Sequence, residues 1–271
     1  MSRPEHRVTR LFQQASPYQP VYVGELERVR FLRFGDHYAG WQGAMRLDRP
    51  DLLYFPYQRA FSLYTAWNAD IRRFLALGVG TGTAIRHVHH RHPQAEIVGV
   101  EWDPLVLEVA QRFFMVPTDR RVRLIEEDVR TYVMALRDRF DLIFLDVYFQ
   151  EQTPKALYTS YYLQALAALL EMGGVLAINA IVATKGPYSF PYVQLCATLE
   201  ELIGPTYSIT LGVIPHFTHN VMIFAHKMDA ATSTLAQVRR RGWREISAHR
   251  AHYTWTSSVL PMLIKKSPKK V

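Results

Sequence analysis

"RRFLALGVGTGTAIRHVHHRHPQAEIVGVEWD", residues 72–103, is the stretch on which the fold turns. An apolar run at 74–77 enters a turn holding Gly78, Gly80 and Gly82. A segment of helical length follows, and a second apolar run ends on Glu101. Strand, glycine turn, helix and strand in that order open a parallel sheet. Glycines at such a turn let backbone approach a ligand and present N–H groups at a helix N-terminus.

Outward from this unit the alternation continues. "VRLIEED", "DLIFLDVY" and "GGVLAINAI" read as the third to fifth strands, with helices expected at 104–114, 130–138, 158–170 and 190–203. Uninterrupted apolar strands alternating with helices predict a sheet covered on both faces. "YSITLGVI" and "NVMIFAHK" are separated only by "PHFTH", which permits an antiparallel hairpin but no helical crossover. The fold class is therefore α/β, a methyltransferase-like (Rossmann-like) doubly wound sheet. Residues 17–56 show strand-like stretches and no helical period, so a small antiparallel sheet is expected there. The division expected is 1–60 as an N-terminal β-strand domain, 61–245 as the nucleoside-binding domain and 246–271 as a basic tail.

The charge is unevenly placed. Residues 239–271 carry nine Lys or Arg and one acid, Glu245, which accounts for the whole net charge of +8. The remaining 23 basic and 23 acidic residues cancel, so the body of the protein offers no general nucleic-acid footprint. The tail is expected to be solvated, frayed and separable from the fold, with a weak anionic contact as the alternative. A single cysteine, Cys196, precludes an internal disulfide and fits a reducing, cytoplasmic compartment. No signal-peptide core and no apolar run of about 20 residues is present, so no membrane partner is expected.

Glu101 ends the second strand about 20 residues after the glycines, where an acid accepts hydrogen bonds from ribose hydroxyls. Asp128, followed by Val129, ends the third, where a carboxylate can accept from an adenine amine. Three signals on consecutive strand ends point to an adenosine-containing ligand. Competing readings are glycines that serve packing alone, acids that are helix N-caps, and an NAD-type protein. The antiparallel ending and the lack of a second mononucleotide-binding half weigh against the last.

"SPYQPVYVGE", "WQGAMRLDRPDLLYFPYQRAF", "VGVEWDPLVLEVAQRFF", "EEDVRTYV" and "GGVLAIN" resemble, in order, segments of the spermidine synthase (polyamine aminopropyltransferase) family, from about residue 16 to 227. The resemblance implies a small β-domain on a methyltransferase-like sheet, a homodimer, and no metal. It also implies aminopropyl transfer from decarboxylated S-adenosylmethionine to a small-molecule amine, releasing methylthioadenosine. By position, Gln19 and Gln42 would line the nucleoside site with Gly78, Gly80, Thr81, Gly82 and Val129. Glu101 would hold the ribose and Asp128 the adenine; Tyr57 would sit beside the acceptor. Asp146 matches the first aspartate of the family's D-x-x-D-P loop, which handles the attacking amine. An ammonium has no lone pair and must lose a proton before it attacks, which is work for a partly buried carboxylate.

Three positions depart from the pattern. Thr81 stands where the family's loop carries an aspartate, Phe149 where the second D-x-x-D-P aspartate falls, and Phe217 where the family has a tyrosine near the acceptor. All three remove groups suited to a cationic chain. Alternatives are therefore a methyltransferase using intact S-adenosylmethionine and a non-catalytic nucleoside-binding protein. His87, His89, His90 and His92 read as a solvated helix face without accompanying acids, Tyr161 and Tyr162 as core or rim aromatics, and Cys196 as a buried helical residue.

Overall fold

The structure is a computed structural model describing residues 8–35, 40–148, 155–212, 215–228, 234–250, 253 and 260–268. Strands β1 (Thr9–Ala15), β2 (Pro20–Leu26), β3 (Val29–Phe34) and β4 (Trp41–Arg46) pair antiparallel in chain order. Helix α1 (Pro56–Phe61) leads into the α/β region. There follow β5 (Arg73–Leu77), α2 (Thr83–Arg91), β6 (Glu96–Glu101), α3 (Pro104–Phe114), β7 (Val122–Glu126), α4 (Val129–Ala135) and β8 (Phe140–Leu145). Next come α5 (Ser160–Ala168), β9 (Leu170–Val182), α6 (Phe190–Leu202), β10 (Thr206–Thr210) and β11 (His219–His226). Helices α7 (Leu235–Ala248) and α8 (Leu260–Leu263) and the two-residue β12 (Lys265–Lys266) close the chain.

The large sheet runs β12-β10-β11-β9-β8-β5-β6-β7. Its β7-β6-β5-β8-β9 portion is parallel, and β11 and β10 add to β9 as an antiparallel hairpin. Strand order reverses between β5 and β8, and open α/β sheets bind ligands at such a switch point. Alternate residues serve opposite faces, as the pleat dictates. Phe74 and Ala76 enter one buried cluster with Phe61 and Phe144; Leu75 and Leu77 enter another with α5 and α6 residues such as Leu163 and Leu199. Each fully buried Leu, Ile, Val or Phe contributes about 1.5–3 kcal/mol, so both faces hold the sheet.

The small sheet is fixed through α3. Asp103 caps that helix by accepting from the Leu105 amide at 3.0 Å, with Pro104 in the first turn. Leu105, Val106, Val109 and Phe114 then pack on Val21, Val23, Leu32 and Met45. The expected boundary at 60/61 falls inside α1, whose Ala60 and Phe61 are buried in the large cluster.

The tail differs from expectation. Residue 246 lies within α7, which a Thr234–Gln237 capping box starts and which buries Val238 and Ile246. Arg239 donates to the Ile264 carbonyl through Nε (3.0 Å) and Nη2 (2.8 Å), and Arg91 pairs with the buried Glu245 at 2.9 Å. Ile264 is fully buried, and Lys265 and Lys266 pair with Ser208 and Tyr207 of β10. Net charge along the chain conceals this, because the arginine heads reach carbonyls and acids while the apolar residues between them face inward.

The histidines on α2 differ too. His87 is buried edge-on against Phe61 and Tyr64, and His92 is buried with Nε2 2.7 Å from the Tyr64 hydroxyl. Burial, reinforced by Arg91, holds His92 down at about 4. His89 does have an acid beside it, Asp119, at 2.6 Å. Tyr162 is buried and Tyr161 exposed, and burial pushes the Cys196 thiol up to about 11.

Candidate active site

A cavity of about 880 Å³ lies along the carboxyl edge of β7, β6, β5, β8 and β9, roofed by the small sheet. Gln19, Gln42, Tyr57, Gly78, Gly80, Thr81, Glu101, Asp128, Val129 and Asp146 all line it. Gly82 does not line it; with φ +65° it starts α2, and a Cβ there would meet Val116 at 2.1 Å.

The glycine turn joins the two ends of this cavity. Gly78 donates to the Val100 carbonyl (2.9 Å), and Asp146 donates through its amide to the Leu77 carbonyl (2.9 Å). At Gly78 φ is +88°, and a Cβ would lie 2.2 Å from the Asp146 carbonyl oxygen. Only glycine allows the loop to pass that close to β8.

Glu101 organises the turn through hydrogen bonds. Its Oε2 accepts from the Val79 amide (3.1 Å), and Oε1 accepts from the Trp102 (3.1 Å) and Asp103 (3.3 Å) amides. Burial raises its pKa against these donors. Asp128 caps α4 by accepting from the Arg130 amide at 2.8 Å, and both its oxygens engage the Arg130 guanidinium, which lowers its pKa. Ser16 Oγ donates to Asp103 (2.6 Å) and accepts from the Gln19 amide (3.1 Å), which sets Gln19 at the cavity mouth. Trp102 lines the same end and stacks on Tyr18, centroids 4.7 Å apart.

Thr81 is buried, and a Cβ on Gly43 would lie 2.3 Å from its methyl group, so β4 passes tightly over the turn. Behind it, Arg86 donates to the Thr81 (2.7 Å) and Phe114 (2.6 Å) carbonyls. Burial lowers this guanidinium to about 10.

At the other end, burial pushes the Asp146 carboxyl up to about 7, while a hydrogen bond from Asn179 pulls it down. Asn179 Nδ2 donates to Asp146 Oδ1 at 2.9 Å, and Asn220 Nδ2 donates to Asn179 Oδ1 at 3.1 Å. Tyr148 donates to the Asn179 carbonyl at 2.8 Å. Tyr57, in the first turn of α1, has its hydroxyl pKa raised by burial and by the nearby Asp146 charge. This end thus holds a carboxylate of near-neutral pKa on an amide relay spanning β8, β9 and β11. Such a group can accept a proton at physiological pH.

Asn179, Asn220 and Tyr148 escaped sequence reasoning. Asn179 offered a signal, as an amide inside the apolar run "GGVLAINAI" must find partners when buried. Phe217 lies outside the cavity, 69% exposed, whereas its neighbour Thr218 lines it. Phe149 lies outside the described residues. Among the described residues no three His, Cys, Asp or Glu side chains converge as a metal site, and no helix is long and apolar enough to cross a membrane.

The sequence model of the spermine/spermidine synthase domain matches residues 61–237, well over half of the chain. The chain belongs to the spermine/spermidine synthase family. Among family relatives, the polyamine aminopropyltransferase of Chromobacterium violaceum is 28% identical over 223 residues, covering 82% of this chain and 81% of its own. A probable spermidine synthase from Corynebacterium glutamicum shares the fold with a TM-score of 0.75 at 18% identity, over 87% of this chain and 86% of its own. A spermidine synthase in complex with the transition-state analogue AdoDATO superposes with a TM-score of 0.67 at 16% identity, over 93% and 84%. The family's methyltransferase-like sheet with an N-terminal antiparallel sheet is the architecture described above.

Proposed function

We propose that this chain transfers the aminopropyl group of decarboxylated S-adenosylmethionine to an amine acceptor. One observation carries the reading: Asp146, with its pKa near 7, opens into the cavity that also holds Glu101 and the glycine turn. Glu101 would accept from the ribose hydroxyls, and Asp128 from the adenine amine once it shares its oxygens with Arg130. Gln19, Gln42 and Val129 would border the nucleoside, and Gly80 would leave room for it.

In the transfer, the acceptor arrives as an ammonium and Asp146 takes one proton from it. The freed nitrogen pair attacks the carbon beside the sulfonium. A C–N bond forms as the C–S bond breaks, and the C–S pair stays on sulfur, giving methylthioadenosine. Asn179 and Asn220 hold the carboxylate in place, and Tyr57 borders the incoming nitrogen. Positioning and charge supply most of the acceleration, since the sulfonium is already a good leaving group.

Methyl transfer from intact S-adenosylmethionine has one observation in its favour. Thr81, which lines the cavity, adds no negative charge that would repel the carboxylate of the intact cofactor. Incubation of the purified protein with each cofactor and an amine panel separates the two. Methylthioadenosine release with the decarboxylated cofactor supports aminopropyl transfer; S-adenosylhomocysteine release with the intact one overturns it. A homodimer belongs to the same proposal, and light scattering tests it.

A further inference from the structure

Helix α7 turns some of its arginines inward and others outward. Val238, Gly242, Glu245 and Ile246 are buried and define its inner side. Arg240 and Arg244, one turn apart, are exposed on the other side, and Trp243 beside them is 37% exposed. The docking of Ile264 brings a further cation to this surface. Lys266 is exposed and pairs opposite Tyr207 of β10, which shares a buried cluster with Val238, Ile246 and Ile264. Lys266 therefore stands on the sheet face that α7 covers.

The segment itself supplies almost nothing to cancel this charge. Residues 230–271 carry nine Lys or Arg and one acid, Glu245, which is buried on the inner side of α7 and pairs with Arg91 at 2.9 Å. The excess is thus gathered on a folded surface, and a polyanion complements it.

The residue types select among polyanions. Guanidiniums give phosphates paired, planar hydrogen bonds. An aromatic ring beside them offers a face on which an unpaired base can stack. An anionic membrane would need the apolar side of α7, and that side is already buried against the core. The carboxylates of an acidic protein would engage the cations and leave the indole unused. We infer that the outer face of α7, with Lys266, binds single-stranded nucleic acid through its phosphates, with a base set on Trp243. Arg240, Trp243, Arg244 and Lys266 are not among the residues lining the cavity, so this surface is separate from the candidate active site.

A labelled oligouridylate of about 20 nucleotides is expected to bind the full chain at about 50 mM salt, by fluorescence anisotropy, and to dissociate as salt rises, because each neutralised phosphate releases counterions. Arg240→Glu/Arg244→Glu is expected to lower affinity at least tenfold and to flatten the slope of log K against log salt by about 1.4, the loss of two contacts on a single strand. Trp243→Ala is expected to lower affinity about fivefold or more with the slope unchanged. Each variant is expected to melt with the wild type, because the replaced side chains are exposed; if the glutamates lower the melting temperature, Arg240→Gln/Arg244→Gln gives the same readout. No binding at low salt, or binding that the arginine variants leave unmoved, overturns the inference. Tighter binding of phosphatidylserine vesicles or of polyglutamate than of the oligouridylate also overturns it, and assigns the face to a membrane or to an acidic protein.

Discussion

The two ends of the cavity are built differently. At the β5–β7 end, the cavity is lined by glycines with positive φ and by carboxylates that backbone amides hold, Asp128 by that of Arg130 two residues on and Glu101 by that of Val79 across the glycine turn. At the β8–β11 end, the Asp146 carboxylate, just after β8, rests on Asn179 of β9, which Asn220 of β11 holds in turn, with apolar side chains beside it. A site made of backbone tolerates side-chain change around it and keeps its ligand class. A site made of side chains changes its ligand with a few substitutions. The departures from the family pattern at Thr81, Phe149 and Phe217 leave Glu101 and Asp128 in place at the β5–β7 end of the cavity.

The sharpest way to break this contrast is Asp146→Asn. Transfer is expected to fall by about 10²–10⁴-fold, with methylthioadenosine affinity unchanged by calorimetry. Loss of both would mean that the ends are one unit. The same variant has a stability signature. The folded pKa of Asp146 lies near 7, above the unfolded carboxylate value of 3.8, so ionisation costs the native state stability as pH rises between the two. That cost is fully present above about pH 7 and absent below the unfolded value. The variant is therefore expected to melt higher than wild type at pH 8 and alike at the acid limit, by calorimetric scans.

Glu101→Ala probes the other end. Hydrogen bonds to charged groups contribute about 1.5–3 kcal/mol, so methylthioadenosine affinity is expected to fall roughly 10- to 150-fold. Part of that loss comes from the Val79 and Trp102 amides left without their acceptor. Unchanged affinity removes Glu101 from the ligand site.

Thr81→Asp sits between the ends. A carboxylate there attracts the terminal ammonium of the decarboxylated cofactor and repels the carboxylate of the intact one, and Arg86 partly offsets its charge. A shift of about tenfold toward the decarboxylated form is expected by calorimetry with both ligands. Strong selectivity for that form in the wild type would show that another acid serves the tail.

Asn179→Ala gives the smallest change. Removing its donor raises the Asp146 pKa further, so the base-requiring limb of the pH–rate profile moves upward from about 7. A displacement of about one unit lowers kcat/KM roughly fivefold at pH 7 and little at pH 9. A uniform loss at every pH would make Asn179 a packing residue only.

The contrast between the ends also sets what could be read in advance. Gly78, Gly80, Glu101 and Asp128 are legible because their partners lie within the same strand–turn–helix units, and local spacing reports local geometry. The strands were legible for a related reason. A parallel strand buried on both faces must be apolar throughout, and helices must separate such strands. Asn179 and Asn220 meet across 41 residues of sequence, and each alone is an ordinary polar residue in a strand. The same holds for the C-terminal segment. Its arginines looked solvated because the carbonyl that Arg239 reaches lies 25 residues away, and the Glu245 that pairs with Arg91 lies 154 away.

By itself, then, the sequence determined the doubly wound sheet, the antiparallel hairpin that ends it, and the strand ends where an adenosine ligand would lie. These follow from periodicity and from glycines whose backbone geometry other residues cannot adopt. Only the tertiary structure decided the amide relay behind Asp146, the carboxyl pKa near 7 and the docking of Ile264. Each of those depends on burial and on partners brought together from distant segments, and desolvation is a property of the packed molecule that no local pattern of residues encodes.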